Sequence, residues 1–147
     1  MENVVIRKLR LEDADAVRRI QFEITKKGED TDYRESLKAV VSGNQHVGVA
    51  AERDGVVVGY MISYMLFGGF GLSKSAWITN FGVDPAYMGR GIGKSLAKRI
   101  LDEYEGRGVT HVYTAVRWDS VDLLSFFRTI GFDRSTLINL CKIGDKR

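Results

Sequence analysis

At 147 residues, with 44% hydrophobic and 28% charged side chains, the chain has the composition of a single globular domain over 1–147, with room for one real core but not for two ordinary domains. Its net charge of +3 is mild and no basic stripe interleaved with aromatics is visible, so no nucleic-acid partner is expected; the lone Cys141 excludes an internal disulfide, and His46 and His111 stand apart from it, without metal-ligand spacing. The longest uncharged run, 56–71, is broken by Gly59, Gly68 and Gly69, and Met1-Glu2-Asn3 opens no visible signal peptide, so the expectation is a cytoplasmic protein with no membrane partner.

Residues 3–9 alternate apolar and polar side chains and predict a first strand with one buried face. A helix begins near Leu11, with Glu12, Asp13 and Asp15 favoured at its positive end and Ala16, Val17, Ile20 and Ile24 as its apolar stripe. Residues 25–32 are polar and read as a loop. A short second helix follows through Tyr33, Leu37, Val40 and Val41, stopped by Gly43-Asn44. Residues 46–53 and 56–67 read as strands joined by Asp54-Gly55, a strong two-residue hairpin signal. A glycine-rich loop over 68–75 leads into a central strand at 77–83, closed by Asp84-Pro85. Ile92, Leu96, Ile100 and Tyr104 recur at helical spacing until Gly106-Arg107-Gly108. A strand at 110–116, a helix at 120–130 and a last strand at 137–140 complete an α/β pattern around one mixed sheet.

The most informative stretch is Gly89-Arg90-Gly91-Ile92-Gly93-Lys94-Ser95, set between the central strand and the helix that follows. A strand that turns through glycines into a helix aims several backbone N–H groups at one spot. The glycines admit a bulky anion, and the helix dipole adds partial positive charge. Three ligand patterns compete with a ligand-free turn. The dinucleotide fingerprint fails, because the glycines give G-x-G-x-G and no acidic residue ends a following strand. A P-loop is nearer, since Gly93-Lys94-Ser95 matches its end, but Met88 stands where its first glycine belongs.

The third pattern is Met88-Gly89-Arg90-Gly91-Ile92-Gly93 after Val83-Asp84-Pro85-Ala86-Tyr87, which resembles the Arg/Gln-x-x-Gly-x-Gly/Ala pyrophosphate loop of the GNAT superfamily of acyl-CoA N-acyltransferases. Val116-Arg117-Trp118-Asp119-Ser120 and Leu123-Leu124-Ser125-Phe126-Phe127-Arg128-Thr129-Ile130-Gly131-Phe132 look like the second signature of the same superfamily, in the right order and separation. The resemblance covers about 77–132. It implies the GNAT fold, a mixed central β-sheet flanked by helices, with a short helix crossing the coenzyme and a Gly-Phe pair opening the last hairpin. It also implies acetyl-CoA as co-substrate, no metal, and an amine acceptor; a homodimer is left open.

The resemblance further assigns roles. The backbone of Phe81, Gly82 and Val83 would hold the pantetheine arm, one N–H polarising the thioester carbonyl. The N–H groups of Met88, Gly89, Arg90, Gly91, Ile92, Gly93 and Lys94 would seat the pyrophosphate, with Ser95 near the helix start. Met88 replaces Arg or Gln, a small change in a seat made of backbone. Three positions depart further. Phe127 stands where many members carry a proton-donating tyrosine, Ser120 where many have an asparagine touching the coenzyme, and Thr79 where some place a glutamate base. The catalytic candidates are therefore Thr79 or Asn80 holding a proton-relaying water, Ser120 as proton donor, and Glu23 as an alternative base. By strand alternation Thr79 and Asn80 face opposite sides.

An amine must be neutral to attack. At pH 7 roughly one lysine in two thousand is unprotonated, against about one α-amino group in ten. The stretch 23–35 carries Glu23, Glu29, Asp30, Asp32 and Glu35 against three cations, which draws a cationic amine or is simply a solvated loop. The expectation is direct acetyl transfer from acetyl-CoA to a primary amine of a protein or peptide. A small-molecule amine or amino-acid derivative is the alternative acceptor, and a catalytically weak acetyl-CoA-binding module the rival from another class. A small nucleotide-binding protein built on the near-P-loop is the third reading.

Overall fold

A computed structural model of the chain describes residues 3–26, 33–43 and 45–145. Glu29, Asp30 and Asp32 of the acidic stretch, most of the loop expected at 25–32, and Asn44 lie outside the described residues. Two compact units are present, Met1–Thr114 and Ala115–Arg147.

The first unit is built on a five-stranded sheet in the order β1-β2-β3-β4-β5. Its strands are β1 (Val4–Lys8), β2 (His46–Arg53), β3 (Val56–Phe67), β4 (Lys74–Val83) and β5 (Val112–Thr114). Neighbours are antiparallel except β4 and β5, which run parallel. The β2–β3 hairpin has the expected ends because Asp54 and Gly55 both take the left-handed conformation, φ 52° and 81°, that a tight hairpin turn demands. Helices α1 (Ala14–Thr25) and α2 (Tyr33–Ser42) cover one face, where Val17, Ile20, Leu37 and Val40 cluster with Ala50, Val57 and Tyr60. Helix α3 (Ile92–Gly106) covers the other. Tyr60 and Gly59, adjacent on β3, show the division: Tyr60 lies in the α1–α2 cluster, while a Cβ on Gly59 would meet Ile92 and Leu96 of α3 at 3.1 and 3.3 Å. Further along α3, the Tyr104 hydroxyl lies 2.7 Å from Ser63 Oγ, which donates to the Val47 carbonyl at 2.8 Å. The chain thereby ties α3 to β2 and β3, and fixes the start of α3 at the end of β4.

Several boundaries differ from expectation. Leu11–Asp13 forms a 3-10 turn, and α1 proper starts at Ala14. Asp13 is buried, and its carboxylate accepts the Arg10 N–H at 2.7 Å and both Arg7 amino groups at 2.8 and 2.9 Å. The strand expected at 110–116 is only β5, Val112–Thr114. The last strand expected at 137–140 is not formed, and Ile138 and Leu140 are 84% and 88% exposed. Alternating side chains do not make a strand unless another strand offers N–H and C=O groups to pair with.

The second unit, Ala115–Arg147, contains helix α4 (Val121–Thr129). Gly131, at φ 99°, and Phe132 end this helix, where a hairpin was expected to open. The Phe132 N–H donates to the Phe127 carbonyl at 2.9 Å and the Gly131 N–H to that of Arg128 at 3.1 Å, while the Phe127 and Phe132 rings pack edge to face at 5.1 Å. This is a Schellman cap with its hydrophobic contact.

The Arg7–Asp13 pair yields a stability prediction. Burial by itself would raise the Asp13 carboxyl, but the hydrogen bonds from Arg7 and the Arg10 N–H outweigh it and hold the group below its ordinary value. A lowered folded-state pKa adds stability above the unfolded carboxylate pKa of about 3.9 and loses it as the pH falls through the folded value. Asp13→Asn should therefore destabilise the protein at pH 7, because it removes one of the two carboxylates, Asp13 and Glu52, that pair with the Arg7 guanidinium. In urea melts the gap between the two proteins should narrow below pH 4; a constant gap would mean that the carboxylate charge is not what holds this corner.

Candidate active site

Strand β4 pairs with β5 only through Ala76, Trp77 and Ile78. The last contact is the Thr114 hydroxyl, which donates to the Ile78 carbonyl at 3.0 Å. Beyond it β4 continues through 79–83, held on its other side by β3: Asn80 opposite Ile62, Phe81 opposite Met61, Gly82 opposite Tyr60, and Val83 opposite Gly59. The departure coincides with a β-bulge, since Ile78 opposes Ser63 and Asn80 opposes Ile62, leaving Thr79 as the extra residue. Simple alternation, which put Thr79 and Asn80 on opposite faces, does not run through this point: Asn80 stands opposite Ile62, and Thr79 falls between two register pairs. The Thr79 hydroxyl donates to the Ile62 carbonyl at 3.4 Å, and both side chains are exposed.

The bulge also resets which residues beyond it face α1. Gly82 now lies under that helix, and a Cβ there would stand 2.9 Å from Ile24 Cδ1 and 3.2 Å from Ile20 Cγ2. The missing side chain at Gly82 lets α1 pack closely on the strand. Glu23 sits on the same turn of α1, its carboxylate paired with Lys26 Nζ at 3.1 Å.

After β4, Asp84 turns the chain. Its N–H donates to the Val58 carbonyl at 2.8 Å, and its carboxylate accepts the Ala86 N–H at 3.0 Å, starting the 3-10 turn Pro85–Tyr87. Gly89 and Gly91 follow, both at φ 79°. The Ser95 N–H donates to the Gly91 carbonyl at 3.0 Å, opening the α3 ladder. In that geometry the N–H groups of Ile92, Gly93 and Lys94 have no partner within the helix, and no acidic side chain stands in its first turn. A Cβ on Gly89 or Gly91 would meet nothing within 4 Å, so the space over the loop is open. Helix-start donors beside open space, with no acidic side chain in the first turn of α3 and with Arg90 and Lys94 alongside, suit a pyrophosphate. Met88, Gly89, Arg90, Gly91 and Lys94 are exposed and Gly93 and Ser95 half-buried; Ile92 is buried in the core, leaving only its backbone for a ligand.

The structure thus gathers Thr79, Asn80, Phe81, Gly82 and Val83 on one strand end, and Met88 to Ser95 in the loop directly after it. Ser120 and Phe127 belong to the other unit. Ser120 precedes α4, its carbonyl accepting the Leu124 N–H at 3.0 Å, with no side-chain cap bond. Phe127 is buried against the rings of Phe126 and Phe132, each at 5.1 Å. Hydrogen bonds from Arg117 hold the Asp119 carboxyl below its ordinary value. Sequence reasoning missed Tyr87, whose ring carries the guanidinium groups of Arg53 at 5.5 Å and Arg90 at 5.3 Å. Tyr87 adjoins the loop and could have been noticed; Arg53, at the far end of β2, gives no local signal.

A strand with an open edge that runs into a glycine-rich anion cradle is the arrangement expected of an acyl-CoA N-acyltransferase. A model of the acetyltransferase (GNAT) family matches residues 13–132. The chain belongs to this family and is an acetyl-CoA-dependent N-acetyltransferase with the GNAT fold. It is 24% identical over 105 residues to the ribosomal protein bS18-alanine N-acetyltransferase of Escherichia coli strain K12, covering 71% of this chain and 67% of that one. It is 39% identical over 98 residues to the N-alpha-acetyltransferase RimI of Mycobacterium tuberculosis strain ATCC 25618 / H37Rv, covering 62% of this chain and 53% of that relative. Its fold is similar to that of the aminoglycoside N-acetyltransferase AAC(6')-Iy in complex with CoA, with a TM-score of 0.82 at 14% identity over 97% and 96% of the two chains.

The cradle can be tested directly. Gly91→Val adds a β-branched side chain at φ 79°, into open space over the loop. Its Cβ meets no protein atom within 4 Å, so the cost to folding should stay near the strain of one left-handed residue, about 1–2 kcal/mol. Coenzyme A affinity measured by calorimetry should be lost; undiminished affinity in the folded variant would remove the loop from the binding site.

Proposed function

We propose that the enzyme transfers the acetyl group of acetyl-CoA directly to the α-amino group of a protein or peptide, without a covalent enzyme intermediate. The observation that carries this reading is the composition of β4 at its bulge. No carboxylate lies on the strand, and Thr79 stands where a base would, its hydroxyl engaged with the Ile62 carbonyl. A strand without a carboxylate at this point suits an amine already neutral in an appreciable fraction. An α-amino group, about one in ten neutral at pH 7, meets that condition and a lysine does not. The similarity to two N-terminal acetyltransferases by sequence points the same way.

Bound acetyl-CoA supplies the activated thioester. The chain's own contribution begins with the backbone groups of Phe81, Gly82 and Val83, which lie past the end of β5 and hold the pantetheine arm. One N–H among them polarises the carbonyl as a preorganised donor, an effect worth a few kcal/mol in sites of this kind. The N–H groups of Ile92, Gly93 and Lys94 fix the pyrophosphate, and Thr79 or Asn80 holds the water that accepts the amine's proton. A thiolate leaving group with a pKa near 8.5 departs at neutral pH with solvent help, so Phe127 need not be a tyrosine. The same Phe127 is the reason to keep a second reading, an acetyl-CoA-binding module with little turnover. Since the reaction draws on acetyl-CoA, we place the enzyme in the cytoplasm.

The pH–rate profile tests this reading. With a water relay and no enzyme base, kcat/KM for a peptide with a free amino terminus should climb towards the pKa of that amine, with no plateau near pH 6–7. A peptide offering only a lysine should react far more slowly at pH 7. An early plateau, abolished by Glu23→Gln, would instead make Glu23 the base. Tight acetyl-CoA binding with no CoA release across an amine panel would favour the binding module.

A further inference from the structure

Helix α3 lies along β3 and meets it near both of its ends. At the start of the helix, Ile92 and Leu96 stand over Gly59, where a Cβ would meet them at 3.1 and 3.3 Å. Towards the far end, the Tyr104 hydroxyl lies 2.7 Å from Ser63 Oγ. Ser63 gives its own proton to the Val47 carbonyl at 2.8 Å, so Tyr104 is the donor of the pair. The helix rise from Leu96 to Tyr104, about 12 Å, matches the strand rise from Gly59 to Ser63, about 13 Å. Tyr104 and Ser63 are both fully buried. The other side-chain bonds that hold α3 lie nearer solvent: Arg99 donates to the Ile6 carbonyl at 3.1 Å, and Lys74 Nζ to the Arg107 carbonyl at 2.5 Å. Apolar contact has no preferred direction, so Ile92 and Leu96 tolerate a small slide of the helix. A hydrogen bond fixes distance and angle. Burial pushes the Tyr104 phenol above its ordinary value, which keeps it a neutral donor at physiological pH.

Ser63 is also the residue of β3 that flanks the bulge. Ile78 stands opposite Ser63 and Asn80 opposite Ile62, so Thr79 bulges against the peptide that joins Ile62 to Ser63, and the carbonyl of that peptide accepts the Thr79 hydroxyl at 3.4 Å. One end of α3 therefore carries the helix-start N–H groups of the cradle, while its other end is pinned to β3 where β4 bulges. We infer that Tyr104 and Ser63 are positioning residues for acetyl transfer: their hydrogen bond sets the reach from the cradle to the edge of β4 past the bulge. Phosphates seated at the first place then bring the arm and its thioester into line at the second. This rests on the coenzyme reading of the loop and strand. Both residues act through α3 and β3. A ligand held at two places gains from the second only when the spacing of the two matches its own length.

Calorimetric titration of the full chain with two probes tests the pin. One is coenzyme A; the other is adenosine 3′-phosphate 5′-diphosphate, which keeps the phosphates and lacks the arm. The unmodified protein should bind coenzyme A about tenfold more tightly than the fragment or better, since only the coenzyme engages both places. Tyr104→Phe removes the donor and leaves Ser63 bonded to the Val47 carbonyl, so it strands no buried proton. This variant should bind the fragment as before and lose most of the coenzyme's advantage, a fall of about fivefold in the ratio. Tyr104→Phe combined with Ser63→Ala should show the same ratio, because both changes delete one contact. A bond that only stabilises the fold would lower the melting temperature and leave the ratio intact. That result would overturn the proposal, as would a Tyr104→Phe protein that weakens both probes by one factor. Equal affinities in the unmodified protein would remove the arm from β4 and the proposal with it, and binding of neither probe would overturn the coenzyme reading itself.

Discussion

Strand β4 has two neighbours over its first half and one over its second. Its parallel pairing with β5 ends where Thr114 meets Ile78, yet β4 continues to Val83 on hydrogen bonds to β3. Backbone N–H and C=O groups on the outer edge of 79–83 must be satisfied by something other than that strand. In the proposed reading this edge supplies the donors and acceptors that a linear amide-bearing arm needs. The bulge at Thr79 sits at the same point, twisting β4 where its second neighbour is lost. With Gly82 pressed under Ile20 and Ile24, the open edge rests on a rigid backing.

The anion cradle is a consequence of where β4 ends. Asp84 folds back on the chain and Pro85 starts a tight turn, so that the two left-handed glycines deliver α3 with its N-terminus facing outward. Ile92 and Leu96 lock that terminus over Gly59, and Tyr104 anchors the far end of the helix through Ser63. In the proposed reading the acyl carrier and its phosphates are met by consecutive parts of one segment, the strand for the arm and the loop for the phosphates. Charge follows the same division. Where the fold buries a carboxylate, at Asp13, it supplies Arg7 and the Arg10 N–H; in the first turn of α3 it places no acidic side chain, and Arg90 lies over the Tyr87 ring.

The site was partly visible in the residue order. The glycine loop and the strand before it were legible because their chemistry is local. Positive φ needs glycine, a helix start leaves free N–H groups, and both occur within a few residues. The ends of β2 and β3 were legible for the same reason, fixed by Asp54-Gly55. The segment 137–140 shows the limit. Its side chains alternate as a strand's would, but no pairing forms, and Gly131-Phe132 caps α4 where a hairpin was expected. The bulge at Thr79 was equally invisible, because a bulge is a mismatch between two strands and neither strand records it alone.

The sequence by itself determined what the backbone must do locally: where it turns, where it can approach an anion, and which helix faces are apolar. Tertiary structure alone decided which distant groups share a place. Arg53 reaches Tyr87 because β2 is sandwiched in the sheet with its end beside the turn after β4. Gly82 faces α1 because the bulge shifts its register. Thr79 marks the point where β4 loses its second partner because β5 is short. Each of these depends on strand register and helix packing. Those are set by the summed fit of many side chains across the sheet, and no short stretch of chain encodes that sum.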